Sequence, residues 1–222
     1  MKLILISADM EDIARSYALG VFCGVAGNPS LVAEAGVPSP KMVKAILRMV
    51  PDPVFVQVSG VATADMVAEG SALAEIDPKR VVVKVPVTAA GIEAIHRLSG
   101  QGVTVTATAI CAANEALLGI LAGAKYVAPY MARISDIGGD GCHIVSDIVD
   151  LIRERELPAQ VIAASVRTPE ELSLAWKVGA HFAAVQSSVV WKICANPAVE
   201  AAAQAFSEEY CARFGPQTGQ FG

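Results

Sequence analysis

Short β-branched runs alternate with alanine-rich helical stretches along the whole 222-residue chain, and few folds accept that pattern. The runs at 2–7, 21–26, 53–58, 80–86, 102–108, 125–130, 160–165 and 181–186 read as strands. Helical stretches fall near 9–18, 40–48, 62–75, 89–99, 110–123, 142–155, 169–178 and 197–213, with short turns near 30–35 and 188–194. Eight strands, each followed by a helix, is the count for a single-domain (β/α)8 barrel with a C-terminal helix. The length is near the lower end for that fold, so the barrel and its last helix are expected over 1–214, with a loose tail at 215–222. A doubly wound open sheet is the alternative, but it would show a glycine-rich turn after the first strand, and none follows here. Thr168-Pro169-Glu170-Glu171 signs a helix start as a capping box, and Asn196-Pro197 does so without the glutamate.

Composition removes several function classes. Hydrophobic residues make up 54% and charged residues 18%, so the chain can fill a large core and is not disordered. Seventeen Lys and Arg face 22 Asp and Glu with no basic run, which argues against a nucleic-acid partner. The longest apolar stretch, roughly 103–124, is broken by Asn114 and Glu115, so no membrane span is expected. The N-terminus lacks the cleavage site of a signal peptide. The five cysteines are scattered without a Cys-x-x-Cys pair, which suits a reducing cytoplasm rather than disulfides or zinc. His96, His143 and His181 form no metal pair by spacing, so neither a metal nor a cofactor is expected.

Successive strand side chains face opposite sides. In 102–108, Val103, Val105 and Ala107 suit the helix layer, which turns Thr104, Thr106 and Thr108 inward. The same alternation turns Gln57 and Lys84 inward. A lysine inside an apolar strand is costly unless it is paired or neutral, and a neutral amine attacks carbonyls. Strand context alone leaves two readings open: a Schiff-base nucleophile, or a structural lysine that reaches solvent or an acid.

The segments VVVKVPVT (81–88), AGAKYVAPYMARI (122–134), GNPS (27–30) and AASVRTPEEL (163–172) resemble the small transaldolase subfamily that includes fructose-6-phosphate aldolase. The resemblance runs in order over nearly the whole chain. It implies a (β/α)8 barrel and metal-free class I aldol chemistry on a sugar phosphate. It also implies a homo-oligomer, a pentameric ring or a decamer, with the C-terminal helix reaching a neighbour. The family's Schiff-base lysine falls on Lys84, its proton-shuttling tyrosine on Tyr130, and its water-holding pair on Gln57 and Thr108. Its phosphate ligands fall on Arg133 and Ser165, and its loop asparagine on Asn28. Arg167, beside a capped helix start, is a further candidate for the phosphate. Gln rather than Glu at 57 tilts the reading toward aldolase over transaldolase.

The departures gather near the lysine. The family's first strand ends in an acid, where this chain has Ile6. Its TTNPS loop reads AGNPS here, with Ala26 and Gly27. Gln186 replaces the end of its last strand, and the inward Thr106 stands where the aldolase has leucine. These changes lead to the expectation of a phosphorylated aldehyde acceptor with an altered ketone donor. A catalytically weakened barrel that binds or senses sugar phosphates is the competing reading. An isomerase-type barrel is weaker, because the pocket strands offer no inward Asp or Glu. The Gly138-Gly139-Asp140-Gly141 loop is either a phosphate cradle or a plain turn, and Cys111 either lines the pocket or packs in the core.

Overall fold

In the computed structural model, which describes residues 1–216, eight parallel strands close on themselves in sequence order. They are β1 (Lys2–Ile6), β2 (Phe22–Ala26), β3 (Val54–Gln57), β4 (Val81–Pro86), β5 (Val105–Ile110), β6 (Tyr126–Pro129), β7 (Gln160–Val166) and β8 (Phe182–Val185). Closure is made by β1 on β8, with Leu5 opposite Val185. Parallel neighbours require crossovers, supplied by α1 (Met10–Tyr17), α2 (Pro29–Ala35), α3 (Ser39–Met49), α4 (Thr63–Ala74), α5 (Ala89–Gly100), α6 (Ala113–Leu121), α7 (Met131–Asp136), α8 (Gly141–Glu154) and α9 (Pro169–Lys177). Two helices follow β8, α10 (Ser187–Cys194) and α11 (Pro197–Phe214).

The strands are buried on both faces, which is why they read as near-continuous apolar runs. Their outward side chains, among them Val54, Val56, Val81, Val83, Val105, Ala107, Val161 and Val185, form one core with the helices. The inward set is separate: Ile4, Ala26, Phe55, Val82, Ala128, Ile162, Ala164 and Ala184. Inside the barrel, Tyr126 packs edge-on against Phe55 and Phe182, with ring centres 5.6 and 5.9 Å away. Alanines at 26, 128, 164 and 184 are too small to fill the remaining space, and cavities open beside them.

Several expectations change in detail. The fifth strand starts at Val105 rather than at 102 and runs on to Ile110, because a register shift after Thr108 absorbs Ala109 at φ 62°. A short helix, α7, fills the segment after the sixth strand, where the sequence pattern predicts no element. The glycine loop is a packing turn. A Cβ on Gly141 would lie 2.0 Å from the Met131 carbonyl oxygen, so only glycine lets α8 start this close to α7. At Thr168 the hydroxyl accepts from Glu171 N as a cap should, but the Glu171 carboxylate takes the Arg167 N–H at 2.6 Å rather than that of Thr168. The last helix buries none of its residues, and its apolar side chains are spread around it rather than gathered on one face. Of the expected tail, residues 217–222 lie outside the described residues.

Candidate active site

The C-terminal ends of the strands surround a cavity of about 370 Å³. Its walls include Asn28, Lys84, Tyr130, Arg133, Ser165 and Arg167, six of the residues singled out from the sequence, together with Ile6, Ala26, Gly27 and Gln186. A smaller cavity of about 20 Å³ lies deeper and is bounded by Lys84, Thr106, Phe55 and the four inner alanines. Lys84 lines both.

Lys84 sits on β4 between Gln57 of β3 and Thr106 of β5, its register neighbours. Burial is the cause that lowers its amine from the ordinary 10.5 to about 8, since desolvation disfavours the ammonium. Among the described residues neither cavity wall contains a carboxylate to restore the charge. The Gln57 carbonyl oxygen and the Thr106 and Thr108 hydroxyls are buried with no hydrogen-bond partner. Buried polar atoms in folded proteins are nearly always satisfied, so the orphans of Gln57 and Thr106, on the strands flanking Lys84, leave hydrogen bonds for a polar ligand or a water to complete. Gln57 and Thr108 do not line either cavity.

The rim is positive. Tyr130 follows β6 and bridges to Ala164 of β7. Arg133, on the first turn of α7, is exposed and holds its guanidinium 5.0 Å from the Tyr130 ring centre. Ser165 lies in β7 at φ 59°, within a register shift between Ala163 and Val166. That backbone is unfavourable for a residue with a Cβ, and such strain concentrates at functional sites. Arg167 lines the mouth of the cavity and makes a two-bond pair with Asp136, at 3.0 and 2.8 Å. Asn28 caps α2 by accepting from Leu31 N at 3.0 Å, which ties the loop after β2 to the cavity wall.

Other candidates fall elsewhere. Cys111 is not part of the cavity wall, and burial raises its thiol. His181 accepts the Val161 N–H at 3.1 Å, just before β8. His143 pairs with Asp147 at 3.6 Å on an exposed helix face. Among the described residues no group of three or more His, Cys, Asp or Glu is placed to hold a metal ion, and no helix is long and apolar enough to cross a membrane. The sequence reading missed Ser30 and Leu31 in the cavity wall and the Asp136 partner of Arg167. Asp136 and Arg167 are 31 residues apart, and no local pattern signals that contact.

An eight-stranded parallel barrel that keeps an amine inside, with guanidiniums at the C-terminal rim, has the organisation of a barrel enzyme, whose chemistry sits at that end. Comparison with known proteins narrows the class. Residues 5–214 match the family model described as Transaldolase/Fructose-6-phosphate aldolase, and the chain belongs to that family. It is 38% identical over 210 residues to a probable transaldolase of Pelotomaculum thermopropionicum, covering 95% of this chain and 97% of the relative. A probable transaldolase of Thermus thermophilus is 37% identical over 219 residues, covering 95% and 98%. Among solved structures, one described as "Native KDPGal structure" superposes with a TM-score of 0.55 at 21% identity, covering 84% of this chain and 83% of that one. A chain of a designed cube-shaped protein cage gives the same score and identity, covering 84% and 63%. These two likenesses support the barrel fold.

Proposed function

We propose that this chain is a Schiff-base aldolase of the fructose-6-phosphate aldolase type, acting on a ketose phosphate. The observation that carries the reading is the Lys84 amine, buried without a carboxylate in the cavity wall and held at about 8. Near neutral pH a usable fraction of that amine is uncharged.

The steps follow from the residues. The Lys84 nitrogen attacks the ketone carbon of the donor, and loss of water leaves a cationic iminium. The C3–C4 bond then breaks: its electron pair moves into the iminium to give an enamine, and the C4 hydroxyl loses its proton as the aldehyde forms. That proton is relayed through Tyr130, directly or by way of a water held by Gln57 and Thr108: the phenol gives its own proton toward the enamine carbon as it accepts the substrate's. Protonation of the enamine carbon and hydrolysis release the ketone and restore the amine. If a second aldehyde captures the enamine instead, the same site performs a transaldolase transfer. Arg133, Ser165 and Arg167 hold the aldehyde's phosphate, and Asn28 contributes from the β2 loop. Ile6 in place of a carboxylate alters the donor preference, because the donor's hydroxyls meet an apolar wall.

We also infer a homo-oligomer, a ring of five or a decamer, in the cytoplasm. In its support, α11 buries no residue in the single chain and exposes Val199 and Phe206. Ile6 favours one competing reading, a weakened barrel that binds sugar phosphates without turnover. Incubation with fructose 6-phosphate and other ketose phosphates, with the released aldehyde measured, separates the two. Aldehyde released by the wild type and not by Lys84→Met supports the aldolase. Saturable binding with no aldehyde from any ketose supports the binding module.

A further inference from the structure

The geometry points to Asp136 as a positioning residue that holds Arg167 against α7, so that two guanidiniums converge on one anionic group of the substrate. The inference rests on the proposed function and adds a residue to it. Asp136 ends α7, one turn after Arg133 on the same helix. Its two carboxylate oxygens accept from the two terminal nitrogens of Arg167, at 3.0 and 2.8 Å. This fork-to-fork arrangement fixes the plane of a guanidinium as well as its position.

Arg167 belongs to the loop after β7 and is otherwise free to swing, since its side chain is about half exposed (51%). Its backbone is fixed as well, because the Arg167 N–H donates to Glu171 at 2.6 Å. One carboxylate therefore holds the main chain and another holds the side chain. A single short helix carries Arg133 directly and Arg167 through Asp136. The pair also joins the loop after β6 to the strained Ser165 segment of β7. Asp136 takes one N–H from each terminal nitrogen, and the remaining N–H groups of Arg167 stay available to a phosphate. The Arg167 bond holds the Asp136 carboxyl below the usual carboxylate range, in keeping with a pair that persists at neutral pH.

The test compares glyceraldehyde 3-phosphate with glyceraldehyde as acceptors in the synthesis direction. Asp136→Ala is expected to raise the ratio of the two KM values about fivefold, the size of effect an exposed pair supports. Arg167→Ala should raise it similarly, and the double variant should add little to either single one. Asp136→Glu, which keeps the fork, should recover most of the ratio. An unchanged ratio in Asp136→Ala, or additive single effects, overturns the positioning role. Titration with inorganic phosphate, which requires no turnover, gives a second readout. Weaker phosphate binding by Asp136→Ala supports the role, and equal binding contradicts it. Absence of turnover by the wild type with every donor and acceptor would count against the aldolase reading, while the phosphate titration still decides the part played by Asp136.

Discussion

The Arg133 guanidinium lies over the face of the Tyr130 ring, 5.0 Å from its centre, so the residues proposed to bind phosphate and to transfer the proton share one contact. The contact needs the ring and not its hydroxyl, which allows the two roles to be separated. Tyr130→Phe is expected to lower kcat about a hundredfold while the KM for a phosphorylated acceptor changes less than about twofold. Arg133→Ala should do the reverse, raising that KM about tenfold or more. Steady-state kinetics on both variants check this.

Lys84→Met should abolish aldehyde release and make the protein more stable at neutral pH. The folded state depresses the Lys84 amine from 10.5 to about 8, so below about pH 8 it carries a charge that folding disfavours. Above 10.5 the amine is neutral in both states and the penalty is gone. The gain from methionine, roughly 1–2 kcal/mol once allowance is made for solvent entering the cavity that Lys84 lines, is greatest below about pH 8. It should shrink as pH rises toward 10.5. Thermal melts of both proteins from pH 7 to 10 measure it.

Ile6→Asp places a carboxylate in the wall that Lys84 also lines. An opposite charge favours the ammonium, so the acid limb of the pH–rate profile should move up by about one unit. The same carboxylate accepts donor hydroxyls and should lower the KM for dihydroxyacetone severalfold, by about 1 kcal/mol of binding. A pH profile that does not move would separate Ile6 from the electrostatics of Lys84.

Ser165→Gly tests whether the φ of 59° is strain maintained for function. Glycine accepts that backbone freely, so the variant should be more stable by about 1 kcal/mol. It also removes the hydroxyl and should weaken binding of phosphorylated substrates. Chemical denaturation and KM measurements should therefore change in opposite senses, one improving as the other worsens.

The barrel was legible in the sequence because both faces of every strand are buried, and runs such as VVVKVP announce themselves. Alternation was enough to turn Lys84, Gln57 and Thr106 inward, and the structure places all three there. What stayed hidden depends on backbone irregularity and long-range contact. Ala109 and Ser165 adopt positive φ with residue types that give no warning, so the shifts in β5 and β7 had no signature. The six-residue α7 is too short for periodicity to show, yet it carries Arg133 and Asp136. The Glu171 carboxylate fitted a capping-box pattern, but its bond to Arg167 N is set by the loop and not by the helix.

The central claim, that the Lys84 nitrogen bonds covalently to a ketose, is tested most directly by reduction. The protein is incubated with fructose 6-phosphate or dihydroxyacetone, treated with borohydride, digested and examined by mass spectrometry. A stable secondary amine is expected on the peptide containing Lys84, absent when ketose is omitted. Turnover of the ketose with no adduct on that peptide, or with an adduct on another lysine, would contradict it.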